Sequence, residues 1–129
     1  EQARQAMDAW HEQGVAVVCV SATFEPIIER AMRDLPFDYQ ISTRMKVNYD
    51  GTYACEVDGV PVEGDRKMIE LRRFANEKWG EGGWELVAAY GDHHSDRALL
   101  AGAEQGFAVC PDRPLGRTAR ERGYQVLEW

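Results

Sequence analysis

The chain has 129 residues and a mass of 14.6 kDa, with 22 acidic against 15 basic side chains and a formal charge of -7. This length fits one compact domain, and 44% hydrophobic with 29% charged residues is a folding composition rather than a disordered one. The longest apolar runs, Val15–Val20 and Leu86–Tyr90, fall far short of the roughly 18 residues of a bilayer span, and the acidic balance argues against phosphate backbones, so no membrane and no nucleic-acid partner is expected.

Taken in order, Ala3–Gln13 sets Ala6, Met7, Ala9 and Trp10 near helical spacing, and Gly14 stands where such a helix would stop. Val15–Val20 is a β-branched run expected as a strand buried on both faces, and Ser21-Ala22-Thr23 is expected to break it. A helix is predicted over Thr23–Arg33, with Thr23 as N-cap and Pro26 in the first turn. Tyr39–Thr43 reads as a weaker strand. Lys46–Tyr53 and Ala54–Val62 read as a hairpin region with turn dipeptides Asp50-Gly51 and Asp58-Gly59. Met68, Leu71, Phe74 and Ala75 give helical spacing to Arg66–Lys78, and Gly80–Gly83 ends it. Leu86–Tyr90 is expected as a buried strand, Asp96–Gln105 as a helix, and Phe107–Cys110 as a strand. Thr118–Arg122 is expected as a helical turn or more and Val126–Trp129 as extended. The alternation is an α/β plan.

Cys19, Cys55 and Cys110 are odd in number and form no C-x-x-C pair, so they read as reduced, buried thiols of a cytoplasmic protein. The first residues have neither an initiator Met nor the layout of a signal peptide, and the chain is expected to begin inside something longer.

Ligands of open parallel sheets gather at the carboxyl ends of the strands, which directs attention to three places. Ser21 follows an apolar run just ahead of a helix, where a hydroxyl and free amides suit an anion. Gly91-Asp92-x-x-x-Asp96 sets two carboxylates four apart at a strand-to-helix junction, and hard oxygens suit Mg²⁺. Lys67 enters a helix with an apolar face. A plainer reading of each stays open: Ser21 as a strand end, Asp92 and Asp96 as turn residue and cap, Lys67 as a solvated charge. His93 and His94 are adjacent, so their side chains are expected to diverge. With no third partner in view they read as exposed loop residues.

In this order, a strand ending in Ser21, Gly64-x-x-Lys67 opening a helix, and a strand running into Gly91-Asp92-x-x-x-Asp96 resemble motifs two, three and four of the haloacid dehalogenase superfamily. The segment Gly106–Leu115, followed by Arg117–Tyr124 and Val126–Trp129, resembles its phosphoserine-phosphatase-like branch. The resemblance implies an α/β fold, a Rossmann-like core with a mainly parallel sheet flanked by helices plus a small β-hairpin. Residues 1–129 would form a single partial core domain carrying motifs two to four. It implies a Mg²⁺-dependent phosphatase of a small phosphorylated metabolite, which passes the phosphoryl group to an aspartate and then hydrolyses the aspartyl phosphate. Ser21 would bind phosphate with help from the Ala22 amide, Lys67 would neutralise its oxygens and orient the nucleophile, Asp92 would hold Mg²⁺, and Asp96 would support the loop or the lysine.

The family's first motif, an apolar strand followed by Asp-x-Asp-x-Thr, has no counterpart before Val15. Its one lookalike, Asn48-Tyr49-Asp50-Gly51-Thr52, offers an amide where a carboxylate must attack and reads as a hairpin turn. The resemblance therefore implies the C-terminal part of a phosphatase, inactive by itself, whose first, central strand and cap lie upstream of Glu1. It predicts a gap between the strands ending at Val20 and Tyr90, closed by the missing N-terminal segment or by a neighbouring chain. The alternative is a non-catalytic α/β module that binds phosphate or Mg²⁺.

Overall fold

The computed structural model describes residues 1–57 and 61–129, without the side chains of Met45 and of residues 53–57; the Asp58-Gly59 dipeptide lies outside the described residues. The chain divides into two compact units, Glu1–Val62 and Glu63–Trp129.

In the first unit, helix α1 (Gln2–Glu12) is followed by strand β1 (Val18–Phe24), helix α2 (Glu25–Met32), strand β2 (Tyr39–Thr43) and the strands β3 (Met45–Val47) and β4 (Tyr53–Val57). β1 and β2 pair in parallel through Val18–Tyr39, Cys19–Gln40 and Val20–Ile41. β3 and β4 form the expected antiparallel hairpin. β1 begins three residues later than the apolar run because the end of α1 claims Val15: its amide donates to the Trp10 carbonyl, while Gly14 turns the chain at φ +77°. β1 also runs on through Ser21, Ala22 and Thr23, which were expected to break it. Pairing resumes at Phe24–Thr43 after a register shift, so α2 starts at Glu25. Thr23 is not the cap of α2; its amide donates to Ser21 Oγ at 3.0 Å. Pro26 does sit in the first turn.

Asp50-Gly51 forms the hairpin turn. Asp50 Oδ1 accepts from the Thr52 amide and hydroxyl, Gly51 donates to the Asn48 carbonyl, and the Asn48 side chain reaches Thr52.

The second unit contains helix α3 (Arg66–Trp79), strand β5 (Ala88–Gly91), a 3₁₀ turn (His94–Asp96), helix α4 (Arg97–Gly102), strand β6 (Gln105–Val109), helix α5 (Arg113–Arg122) and strand β7 (Gln125–Leu127). Its sheet is parallel, in the order β5-β6-β7. The carbonyls of Leu86 and Val87 accept from the amides of Glu104 and Gln105, which draws Gln105 into the sheet and stops α4 at Gly102, three residues short of the expected end. α5 starts at Arg113, ahead of Thr118, because Asp112 caps it, accepting from the Leu115 amide at 2.8 Å, with Pro114 in the first turn. The core holds Leu71, Ala75, Ala89, Leu99, Leu100, Ala108, Leu115 and Ala119, all buried. A Leu such as Leu100 or Leu115 contributes roughly 1.5–3 kcal/mol by burial.

β1 and β5, expected to border a missing strand, belong to different sheets. Among the described residues no helix is long and apolar enough to cross a membrane. Cys19 is half-buried in β1, but Cys110 is exposed rather than buried. It lies just past β6 at φ +39°, where the Cys110 amide turns to donate to the Leu127 carbonyl.

One carboxylate joins the ends of several elements in the first unit. Asp38 Oδ2 takes His11 Nε2 at 2.7 Å and the Val17 amide at 2.7 Å. Partial burial works to raise its pKa, yet the Val17 amide and the His11 ring together hold it below the ordinary carboxylate value of 3.8. A depressed folded-state pKa gives stability that is present above the unfolded value and is lost as pH falls through the folded one. Urea unfolding should therefore show the wild type losing stability below about pH 4, and Asp38→Asn, less stable by about 1 kcal/mol at pH 6, should show a flatter acid limb.

Candidate active site

Lys67 lies in the first turn of α3, brought there by Gly64 and Asp65, and its stem follows the buried side of the helix. Its Nζ donates to Asp96 Oδ1 at 2.6 Å, with the two side chains only 12% and 9% exposed. At that burial a lysine is held by its partner rather than solvated, so the surface-charge reading fails.

Asp96 Oδ2 turns the other way and accepts from the amides of Asp92 and His93, each at 3.3 Å. One carboxylate thereby fastens the loop after β5 to the head of α3. The approach is close enough that a Cβ on Gly91 would stand 2.6 Å from Asp96 Cβ, so this position has no room for a side chain. Asp92 is exposed, and its carboxylate takes no hydrogen bond or ion pair among the described residues. The structure thus brings Lys67 and Asp96 together, with the Asp92 backbone held against Asp96. Ser21 and Ala22 belong to the other unit, inside β1, where Ser21 Oγ accepts from the Thr23 amide.

The two histidines do not diverge as the sequence implies. Their ring centroids are 4.0 Å apart, and both rings face Asp112. His94 Nδ1 lies 2.9 Å and His93 Nε2 3.6 Å from Asp112 Oδ2, which also accepts from the His94 amide. The missing third partner stands 18 residues on, where the Asp112 amide donates to the Asp92 carbonyl. Its signal in the sequence is an N-cap pattern, Asp112 ahead of Arg113-Pro114. Slight desolvation works to raise the Asp112 pKa, but the Leu115 amide, the His94 ring and amide and the charge of His93 bring it down to about 2.

The family model for haloacid dehalogenase-like hydrolases matches residues 1–101. The chain is 30% identical to the "Inhibition of morphological differentiation protein" of Streptomyces azureus over 100% of its length and 46% of that protein. It is 32% identical to the "Phosphoserine phosphatase" of Lactococcus lactis subsp. lactis, covering 81% of the chain and 47% of the relative. It spans about half the length of these curated relatives. In fold it is similar to a crystal structure of a protein of unknown function from Bordetella pertussis Tohama I, with a TM-score of 0.88 and 23% identity over 98% of this chain and 57% of that one.

Lys67→Ala leaves Asp96 as an uncompensated charge and is expected to lower unfolding stability by about 3 kcal/mol, part of which Asp96→Asn in the same background restores. Gly91→Ala is expected to cost on the order of 1–3 kcal/mol because the loop must move off Asp96. Urea denaturation of the three variants checks both.

Proposed function

The chain belongs to the haloacid dehalogenase-like hydrolases, and from that membership we propose that it is the C-terminal portion of a Mg²⁺-dependent phosphatase. It hydrolyses a small phosphomonoester through an aspartyl-phosphate intermediate, with the nucleophile supplied from outside these 129 residues. Residues 1–129 make up one partial core domain, at work in the cytoplasm.

The observation that carries this reading is the ammonium of Lys67, drawn in from solvent and fixed by Asp96 beside the loop that bears Asp92. An ammonium has three donors and Asp96 accepts one, which leaves two for phosphate oxygens. Phosphoryl transfer depends on positioning and on cations that neutralise spreading charge, so a lysine pre-placed at the head of α3, tied through Asp96 to the loop after β5, is the kind of group the reaction needs. Asp96 acts through others: one oxygen aims the lysine and the other fixes the Asp92 loop. Ser21, with the Ala22 amide, is the phosphate ligand assigned from the family resemblance.

Asp92 fits a divalent ion, being an exposed hard-oxygen ligand with no competing partner among the described residues. Mg²⁺ is commonly held by one or two carboxylates together with substrate phosphate and water. When bound it would draw charge from the phosphate oxygens. The substrate class, small phosphate esters of metabolites, is supported by the similarity to the phosphoserine phosphatase of Lactococcus lactis.

Hydrolysis of an aryl phosphate with Mg²⁺ tests the proposal on the protein extended N-terminally to the length of its relatives. The extended protein should be active and the 129-residue chain inactive. Lys67→Met, with its fold checked by circular dichroism, should lower kcat about 100-fold or more, and Ser21→Ala should lower it less. An inactive extended protein, or an unchanged rate in Lys67→Met, overturns the assignment. Phosphate binding without turnover would point to the non-catalytic module.

A further inference from the structure

Beside the Lys67–Asp96 pair, the second unit holds a distinct group of ligand atoms. One each from His93, His94 and Asp112 lie within 4.8 Å of one another. We propose that these three residues form a binding site for a transition-metal ion of the Zn²⁺ type, separate from the Asp92 carboxylate.

Geometry is the first support. Zn–N and Zn–O bonds of about 2.0–2.2 Å in a tetrahedron set neighbouring ligand atoms roughly 3.3–3.5 Å apart. The His94–Asp112 and His93–Asp112 separations, 2.9 and 3.6 Å, bracket that spacing, and with all three atoms inside 4.8 Å, rotation of the two half-exposed rings brings them to it. Composition is the second. Two imidazoles and one carboxylate favour Zn²⁺, Ni²⁺ or Cu²⁺, whereas Mg²⁺ prefers oxygen alone.

The surroundings supply the third. Asp112 Oδ1 is engaged by the Leu115 amide, which orients the carboxylate and leaves Oδ2 toward the histidines. Ser95 Oγ lies 2.9 Å from His93 Nδ1 and can accept its N–H once Nε2 holds the metal. The Ser95 amide, now 3.2 Å from that same nitrogen, gives up its bond in the exchange. At His94, the ion takes the place of the proton that Nδ1 shares with Asp112, and the neutral ring carries that proton on Nε2 instead, exchanged through water at its exposed edge. Both rings are about half exposed, so three protein ligands leave further positions to water or an incoming ligand. Asp92 contributes no atom to the site, which stands whether or not that residue holds Mg²⁺.

Calorimetric titration of the protein with Zn²⁺, and with Co²⁺ as a visible-absorption probe, tests the proposal in the presence of excess Mg²⁺. One ion per chain is expected, with Co²⁺ bands characteristic of nitrogen ligation. His93→Ala and His94→Ala, exposed positions that leave the fold intact, should each weaken binding at least about tenfold, and Ser95→Ala should weaken it less. Asp92→Asn and Cys110→Ser should leave it unchanged. Absence of binding, binding indifferent to both histidine variants, displacement by Mg²⁺, or loss on Asp92→Asn or Cys110→Ser would each overturn it.

Discussion

The candidate site depends on one buried carboxylate with two separate duties. Asp96 uses Oδ1 to hold the Lys67 ammonium and Oδ2 to hold the backbone of Asp92 and His93. A charge removed from water is costly unless it is paired and its remaining lone pairs are satisfied, and here both conditions are met by neighbours from two elements. The same contact makes Gly91 obligatory, since the carboxylate sits where a side chain would otherwise be. Placement of the lysine and of the Asp92 loop are therefore one constraint, and a change to any of the three residues propagates to the others.

A second acid on the same rim repeats the device. Asp112 caps α5 through one oxygen and faces His93 and His94 with the other, while its amide binds the Asp92 carbonyl. The loop after β5 is thus held from one side by Asp96 and from the other by Asp112. Its two histidines are positioned by contacts outside their own segment, which is what raises them from loop residues to a set of converging ligands.

The first unit is less thoroughly filled. Its buried apolar residues are Ile28 and Val62 among those described, whereas Phe24, Ile27, Val47 and Tyr49 are exposed. Its order rests in good part on polar ties, of which Asp38 with His11 and Val17 is the best defined; Thr43 Oγ1 accepting from the Val62 amide is another. A two-stranded sheet is marginal by itself, and this chain spans about half the length of its curated relatives.

Much of the fold was legible in the residue order. Buried strands, amphipathic helices and the Asp50-Gly51 turn leave local signatures of period and turn chemistry, and Tyr39–Thr43 emerged with the bounds expected of it. The boundaries that moved did so through partners distant in sequence: β1 extends past Ser21–Thr23 because Phe24 pairs again with Thr43 of β2 after a register shift, and α4 ended early because Leu86 and Val87 took the amides of Glu104 and Gln105. The order of Ser21, Lys67, Asp92 and Asp96 likewise pointed to the family without coordinates. The sequence by itself thus determined the alternation of elements and the residue types available for phosphate chemistry. Only the tertiary structure decided that Lys67 is buried against Asp96 and that Asp112 is the third member beside His93 and His94, because pairing across 29 and 18 residues is set by how the strands and helices pack; the N-cap pattern at Asp112 marks a helix start but does not name the histidines as its partners.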